Sequence, residues 1–370
     1  MQEPVRVLHL FTILNRGGAE TNVMNYYRKL DKSKIQFDFV VHREEKGAYE
    51  DEILALGGKI FRFQNINPFK LKSYKLQIKA FFDIQDYQII HGQCSELGYF
   101  FYKEAHKRRV PVIIAHGHNS KSKLDLKFPF RWFWKKSMMR YVNTYFSCGE
   151  EASVWLFGKK IAPQAFTMTN AIDSQLFAYN EEKSLQIQKE LSAEQTKNFI
   201  HIGRFNVQKN HEFLIEVFHL LLQKNPQQQL FLVGEGELKS QIQKKVKTLG
   251  MEQKVIFLGS RNDVNDLLQA MDVFLFPSLF EGLPVSLVEA QASGVQCVIS
   301  DGIPIEAILI PENITVISLK ESVVQWANKI HALNQFDKKD VSFLIKEKGY
   351  DIGANVRILE EKYTALLQGK

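Results

Sequence analysis

Cysteine is scarce: Cys94, Cys148 and Cys297 lie far apart in a chain of 370 residues. An odd number with no paired spacing argues against a disulfide framework and a zinc ribbon, and fits a reducing compartment. Long apolar runs are missing too. The nearest approach, residues 7–14, follows Glu3, has no small-residue cleavage site after it, and is too short to span a bilayer. A cytoplasmic location is therefore expected. No internal repeat and no low-complexity tract is present, and at 45% apolar residues the chain is neither disordered nor fibrous.

What is present is enough chain for two globular domains, with a net charge of +7. That charge is uneven. Residues 1–170 hold 27 Lys and Arg against 16 Asp and Glu, a balance of +11, and the remaining 21 and 25 leave −4 for residues 171–370. The basic half needs a physical reason.

Short runs rich in Val, Ile and Phe recur at 5–11, 37–41, 60–63, 89–94, 112–116 and 145–148, separated by longer helical patterns. The rhythm pauses after 166–170, in the polar stretch 179–197, and restarts at 199–203, 230–234, 255–259, 273–277, 296–300 and 314–318. Alternation of this kind predicts βα units around parallel sheets. The expected fold is α/β, with two Rossmann-like doubly wound domains facing across a cleft. Ligands of such sheets bind beyond the carboxyl ends of the strands, so chemistry-bearing residues are sought there.

Four motifs follow strands. Gly17-Gly18-Ala19-Glu20 precedes a helical pattern; it is either a plain βα turn or a close backbone approach to an anion at a helix start. It lacks the later glycines of the dinucleotide fingerprint and the Gly-Lys-Ser/Thr ending of a P-loop. His116-Gly117-His118-Asn119 puts two rings on one side of extended chain. Metal ligation and a polar ligand contact both remain open, although no third ligand has obvious spacing. Gly203-Arg204 with Lys209 offers a planar fork and a compact charge, suited to a diphosphate leaving group. Residues 277–290 run Pro-Ser-Leu-Phe-Glu-Gly-Leu-Pro-Val-Ser-Leu-Val-Glu-Ala. Gly282 allows a tight loop and Pro284 suits a first helical turn, so backbone N–H groups around residues 283–286 would form an anion site. Glu281 and Glu289 beside that site would accept hydrogen bonds from sugar hydroxyls; capping and a solvated helix position are their ordinary alternatives.

With these residues the sequence resembles the family 4 retaining glycosyltransferases of GT-B architecture, similar to those of bacterial exopolysaccharide and capsule assembly. Glu281 and Glu289 match the family's Glu-x7-Glu motif, and Gly203-Arg204, Lys209, Asn170-Ala171-Ile172-Asp173 and Gly17-Gly18 also fit. The resemblance is strongest over 198–301. It departs where Ala171 stands for a usual Gly and where Ser300-Asp301-Gly302 replaces a Gly-Gly pair.

The resemblance implies that Arg204 and Lys209 neutralise the donor diphosphate, that Glu281 touches the donor sugar, and that Glu289 holds the ribose. Gly17, Gly18, Gly282, Leu283 and Val285 would supply backbone contacts, while Arg261 and Asn262 would lie against the base. His118, preferred over His116, would touch the transferred sugar. The residues expected at the reaction centre are thus His118, Glu281, Arg204 and Lys209. No cofactor is implied; the nucleotide-sugar is a co-substrate, with UDP preferred over GDP. Asp-x-Asp is absent, and cations with a helix N-terminus can do the same electrostatic work, so metal-independent hexosyl transfer is expected.

Residues 121–140 crowd Lys and Arg around five aromatics, with Asp125 as the one acid. Lys127, Arg131, Trp132, Trp134, Lys135 and Lys136 suit an anionic bilayer surface, the alternative being an amphipathic helix packed on the sheet. Peripheral contact with the inner face of the cell membrane would suit a polyprenyl-diphosphate-linked saccharide acceptor. No standard nucleic-acid module appears, so no nucleic-acid partner is expected. The domains are expected at 1–175 on the acceptor side and 176–350 on the donor side, with 351–370 returning to the first. A nucleotide-sugar epimerase of the same architecture and a non-catalytic nucleotide-sugar or nucleic-acid binder are the rival readings.

Overall fold

A computed structural model describes residues 3–118, 128–334 and 336–369. The chain divides into two compact units, Met1–Ala171 with Ile352–Lys370, and Ile172–Asp351. The expected cut after residue 175 would split the short helix Ser174–Phe177.

In the first unit seven strands are described: β1 (Val5–Leu10), β2 (Ile35–Val41), β3 (Ile60–Arg62), β4 (Ile89–Gly92), β5 (Val112–Gly117), β6 (Thr144–Ser147) and β7 (Phe166–Thr167). They form a parallel sheet in the order β3-β2-β1-β4-β5-β6-β7. Successive residues point to opposite faces, and both faces are buried. Val7, Phe37, Phe39 and Ile89 join one core with the carboxy-terminal helix Ile352–Leu367. Leu8, Val40 and Ile90 join another with the helices Leu71–Ile84 and Tyr99–Lys107. This burial on both sides is why the strands read as nearly continuous apolar runs.

The second unit repeats the plan with β8 (Lys197–Ile202), β9 (Gln228–Val233), β10 (Val255–Gly259), β11 (Val273–Phe276), β12 (Gln296–Ser300) and β13 (Ile314–Ile317). Their order is β10-β9-β8-β11-β12-β13, again parallel. The helices His211–Lys224 and Val323–His331 cover one face around Phe199, Leu230, Val273 and Val298. The polar stretch 179–197, expected to be a pause, contains the helix Glu181–Glu190. Asn180 caps it, accepting from Lys183 N at 2.9 Å, and its only apolar anchor in the interior is Ile187. One buried apolar residue in ten leaves little periodicity to read.

Candidate active site

Loops leaving the two strands where a doubly wound sheet reverses direction diverge and open a crevice. In the second unit that point lies between β8 and β11, and the loops leaving them carry residues 203–210 and 277–284. Asn206 accepts from Lys209 N at 3.1 Å and so starts the tight turn Val207–Lys209. Asn210 then takes a left-handed conformation, φ 57°, and donates from Nδ2 to Pro277 O at 3.1 Å. A backbone bond, Leu279 N to Gln208 O at 2.8 Å, completes the link between the loops.

This arrangement brings Lys209 to Glu281. Lys209 Nζ donates to Glu281 Oε1 at 2.8 Å, and Gln208 Nε2 donates to Oε2 at 3.2 Å and to Phe280 O at 3.0 Å. Glu281 is 7% exposed, so its carboxylate is held by charge and hydrogen bonds rather than by water. The ammonium also sits 4.4 Å from the Phe276 ring centre, a cation–π contact.

Two glycines make room. A Cβ on Gly203 would meet Lys209 Cδ at 2.9 Å, because the lysine stem lies over that residue. Gly234, at φ +141°, would place a Cβ 2.1 Å from Gly203 O. A side chain at Gly203 would push the Lys209 stem aside, and one at Gly234 would displace the backbone of the loop that carries Arg204. Arg204 itself is exposed and forms no ion pair among the described residues, leaving its fork for an external anion. Arg261, after β10, is bound to Asp263 through two bonds of 2.8 and 2.6 Å. Its guanidinium is therefore engaged within the chain, and Asn262 beside it is exposed.

The helix Val285–Ala292 begins one residue later than expected. Pro284 is its N-cap, at φ −75° and ψ 114°, rather than part of its first turn. Its extended ψ keeps it outside the helical region, and no side chain caps the helix. Leu283 and Val285 are buried, and Gly282 and Glu289 are half-buried. Glu289 lies in the second half of this helix, where its carbonyl accepts from Ser293 Oγ at 3.0 Å.

In the first unit the reversal lies between β1 and β4, where His9 pairs in register with His91. A histidine array continues from there. His91 Nδ1 is 2.7 Å from Tyr363 Oη on the carboxy-terminal helix, and His91 Nε2 is 3.0 Å from His116 Nδ1. His116 stacks on His118 with ring centres 4.0 Å apart. His118 Nε2 contacts Gln93 Oε1 at 2.6 Å, and Gln93 Nε2 reaches His9 Nδ1 at 3.0 Å. Burial pushes His118 down to about 4 and His9 to about 3, and holds His91 and His116 well below the ordinary histidine range. The rings are therefore neutral near pH 7. Gly17 is the N-cap of the helix Gly18–Lys29, whose start no side chain caps. A Cβ on Gly17 would meet the Glu20 carboxylate at 2.4 Å, whereas Gly18 has open space.

The aromatic and basic segment forms the helix Phe128–Met138, but only part of it meets the needs of a membrane face. Lys127 lies outside the described residues. Arg131 turns toward the buried Glu96, 3.9 Å away. Trp134 packs on Phe100 in the core, and Lys135 lies over the Trp155 ring and donates to its carbonyl. One side of any helix on this sheet must cover apolar surface, and these three residues fall on it. Trp132 remains half exposed with Lys136 Nζ 4.0 Å above its ring, and Phe130 and Phe133 are exposed beside it. The sequence reading overlooked a second stripe on the helix Leu71–Ile84 and the turn before it: Phe69, Lys72, Lys75, Leu76 and Lys79 are all exposed. Their spacing of three and four was visible in the sequence.

Also overlooked were Gln208, Phe276, Gln93 and Tyr363. Gln208 adjoins a residue already singled out. The other three become visible only once separate strands and the last helix are assembled.

Two doubly wound parallel sheets of seven and six described strands define the class: an α/β protein of GT-B architecture. The chain belongs to the glycosyltransferases of group 1, whose family model matches residues 182–343. It is 33% identical to EpsF of Bacillus subtilis, named as a glycosyltransferase, across 97% of this chain and 96% of that one. It is 27% identical over 59% of its length, and 58% of the relative's, to an Escherichia coli UDP-Gal:alpha-D-GlcNAc-diphosphoundecaprenol alpha-1,3-galactosyltransferase. Among solved structures, Anabaena HepE in complex with UDP and glucose superposes with a TM-score of 0.78 at 17% identity, covering 98% of this chain and all of that one.

Proposed function

We propose that this glycosyltransferase moves a hexosyl group from a UDP-sugar to a hydroxyl of a polyprenyl-diphosphate-linked saccharide, with retention of configuration and without a metal ion, in exopolysaccharide or capsule assembly. The observation that carries the reading is the Lys209–Glu281 pair at the reversal point of the second sheet, on loops that also carry Arg204, exposed and without an ion pair among the described residues. A cation set beside a fixed carboxylate suits a ligand with a diphosphate at one end and hydroxyls at the other. The UDP and glucose complex of HepE and the lipid-linked acceptor named for the E. coli relative support the donor and acceptor classes.

In this reading Arg204 and Lys209 receive the charge that grows on the diphosphate as the anomeric C–O bond breaks. The uncapped start of Val285–Ala292 and the backbone of Gly282, Leu283 and Val285 add positive potential. Glu281 orients the sugar through its hydroxyls, Glu289 the ribose, and the backbone at Arg261 and Asn262 the base. Gly17, Gly18 and His118 act from the first unit, His118 on the transferred sugar. The acceptor oxygen forms the new bond to the anomeric carbon, and its proton passes to the departing phosphate. Trp132, Phe133 and Lys136, with the Phe69 to Lys79 stripe, give the acceptor-side unit contact with an anionic membrane.

Thermal stabilisation by UDP-sugars and GDP-sugars tests the donor, since a ligand binding only the folded state raises its stability by mass action. A shift with UDP-sugars that Arg204→Ala weakens supports the assignment. A shift restricted to GDP-sugars would replace it.

A further inference from the structure

We infer that Gln93 is a positioning residue that fixes the tautomer of His118, so that His118 Nδ1 accepts a hydrogen bond from a hydroxyl of the transferred sugar. The inference rests on the proposed contact between His118 and that sugar, and it adds the direction of the hydrogen bond and the residue that sets it.

A primary amide has one end that only accepts and one that only donates. Gln93 is buried, and its backbone N–H is tied to Leu10 O at 3.0 Å. Its Oε1 faces His118 Nε2 at 2.6 Å and its Nε2 faces His9 Nδ1 at 3.0 Å. An oxygen acceptor requires the His118 proton on Nε2. A nitrogen donor requires His9 Nδ1 to be bare. Both rings are neutral near pH 7, because burial holds them far below the ordinary histidine range. A neutral imidazole carries one proton, so His118 Nδ1 presents a lone pair.

That nitrogen has no hydrogen-bond partner among the described residues, and His118 is half-buried just beyond the end of β5. Neighbours hold the ring in place. His116 stacks on it, and Cys148 Sγ lies 3.7 Å from its carbonyl oxygen. A bare nitrogen held in this way takes a hydrogen-bond donor. It accepts a sugar hydroxyl and disfavours a carboxylate or carbonyl oxygen at the same position, since two acceptors facing each other leave both unpaired.

The test uses the full chain labelled with 15N-imidazole histidine, the His118 signals being assigned by their loss in His118→Asn. Wild type at pH 7.5 is expected to show a protonated Nε2 and a bare Nδ1. Gln93→Met should give mixed tautomers and a kcat lowered about tenfold, the weight of one hydrogen bond, with KM for the donor nearly unchanged. Gln93→Glu sets a buried carboxylate against both rings, so it should draw a second proton onto His118, protonate Nδ1 and leave the rate low. A wild-type proton on Nδ1, or Gln93→Met with unaltered tautomer and rate, overturns the inference. His118→Asn with undiminished transfer, in a protein whose wild type shows the Nε2–H form, overturns the sugar contact itself, so the two failures are told apart.

Discussion

Lys209 and Gln208, neighbours on one loop, each hold one oxygen of Glu281 on another, at 2.8 and 3.2 Å. The pair is mostly shielded from water, with side-chain exposures of 14% for Lys209 and 8% for Glu281. Removing either partner leaves the other charge poorly solvated. We expect Glu281→Gln and Lys209→Met each to lower stability by about 1–3 kcal/mol, with a coupling of about 1–3 kcal/mol in the double-mutant cycle, measured by urea unfolding. Additive effects would show that the two side chains act independently.

Gly234→Ala tests the backbone that frames Arg204. Its Cβ would fall 2.1 Å from Gly203 O at a positive φ, so a loss of about 1–3 kcal/mol is expected together with weaker UDP-sugar binding. Gly250→Ala, where nothing lies within 4 Å of the added carbon, serves as the control for backbone conformation alone. Equal effects on donor binding would remove the link to Arg204.

The histidine array makes stability depend on pH with a definite sign. His9 and His118 protonate near 6.5 when unfolded but only near 3 and 4 when folded. Below pH 6.5 the unfolded chain therefore binds more protons than the folded one. Stability is full above pH 6.5 and falls as pH drops toward 4, by up to about 1.4 kcal/mol per pH unit for each histidine. Urea unfolding at pH 7.5, 6 and 5 should show this slope, and His9→Leu should reduce it. A flat profile would contradict neutral burial.

Membrane contact predicts that wild type floats with anionic vesicles of phosphatidylglycerol but not with neutral phosphatidylcholine. Trp132→Ser with Lys136→Gln should weaken flotation, and Lys72, Lys75 and Lys79 changed together to Gln should weaken it further. High salt should weaken it for all variants. No flotation of wild type on either vesicle would remove the membrane face from the account.

Much of the fold was legible because each parallel sheet is buried on both faces. β10 and β12 coincide with the apolar runs at 255–259 and 296–300, and Gly302 and Pro304 punctuate the loop after β12. Less regular burial was harder to read. The helix Glu181–Glu190 buries a single aliphatic side chain, and Phe128–Met138 conceals Arg131 and Lys135, which composition alone places at the surface. At the candidate site, residue types and spacing located the loops after β8 and β11. Spacing could not reveal that Gln208 shares Glu281 with Lys209, or that Gln93 stands between His9 and His118. Those contacts depend on strands that are adjacent in space and distant in sequence.

Transfer from a labelled UDP-sugar to a polyprenyl-diphosphate-linked saccharide, run in EDTA, tests the central proposal most directly. The account predicts that wild type releases UDP and forms a lipid-linked product with the donor's anomeric configuration, and that Glu281→Gln lowers kcat by at least about 10²-fold. A changed nucleotide-sugar without release of UDP, or transfer undiminished in Glu281→Gln, would contradict it.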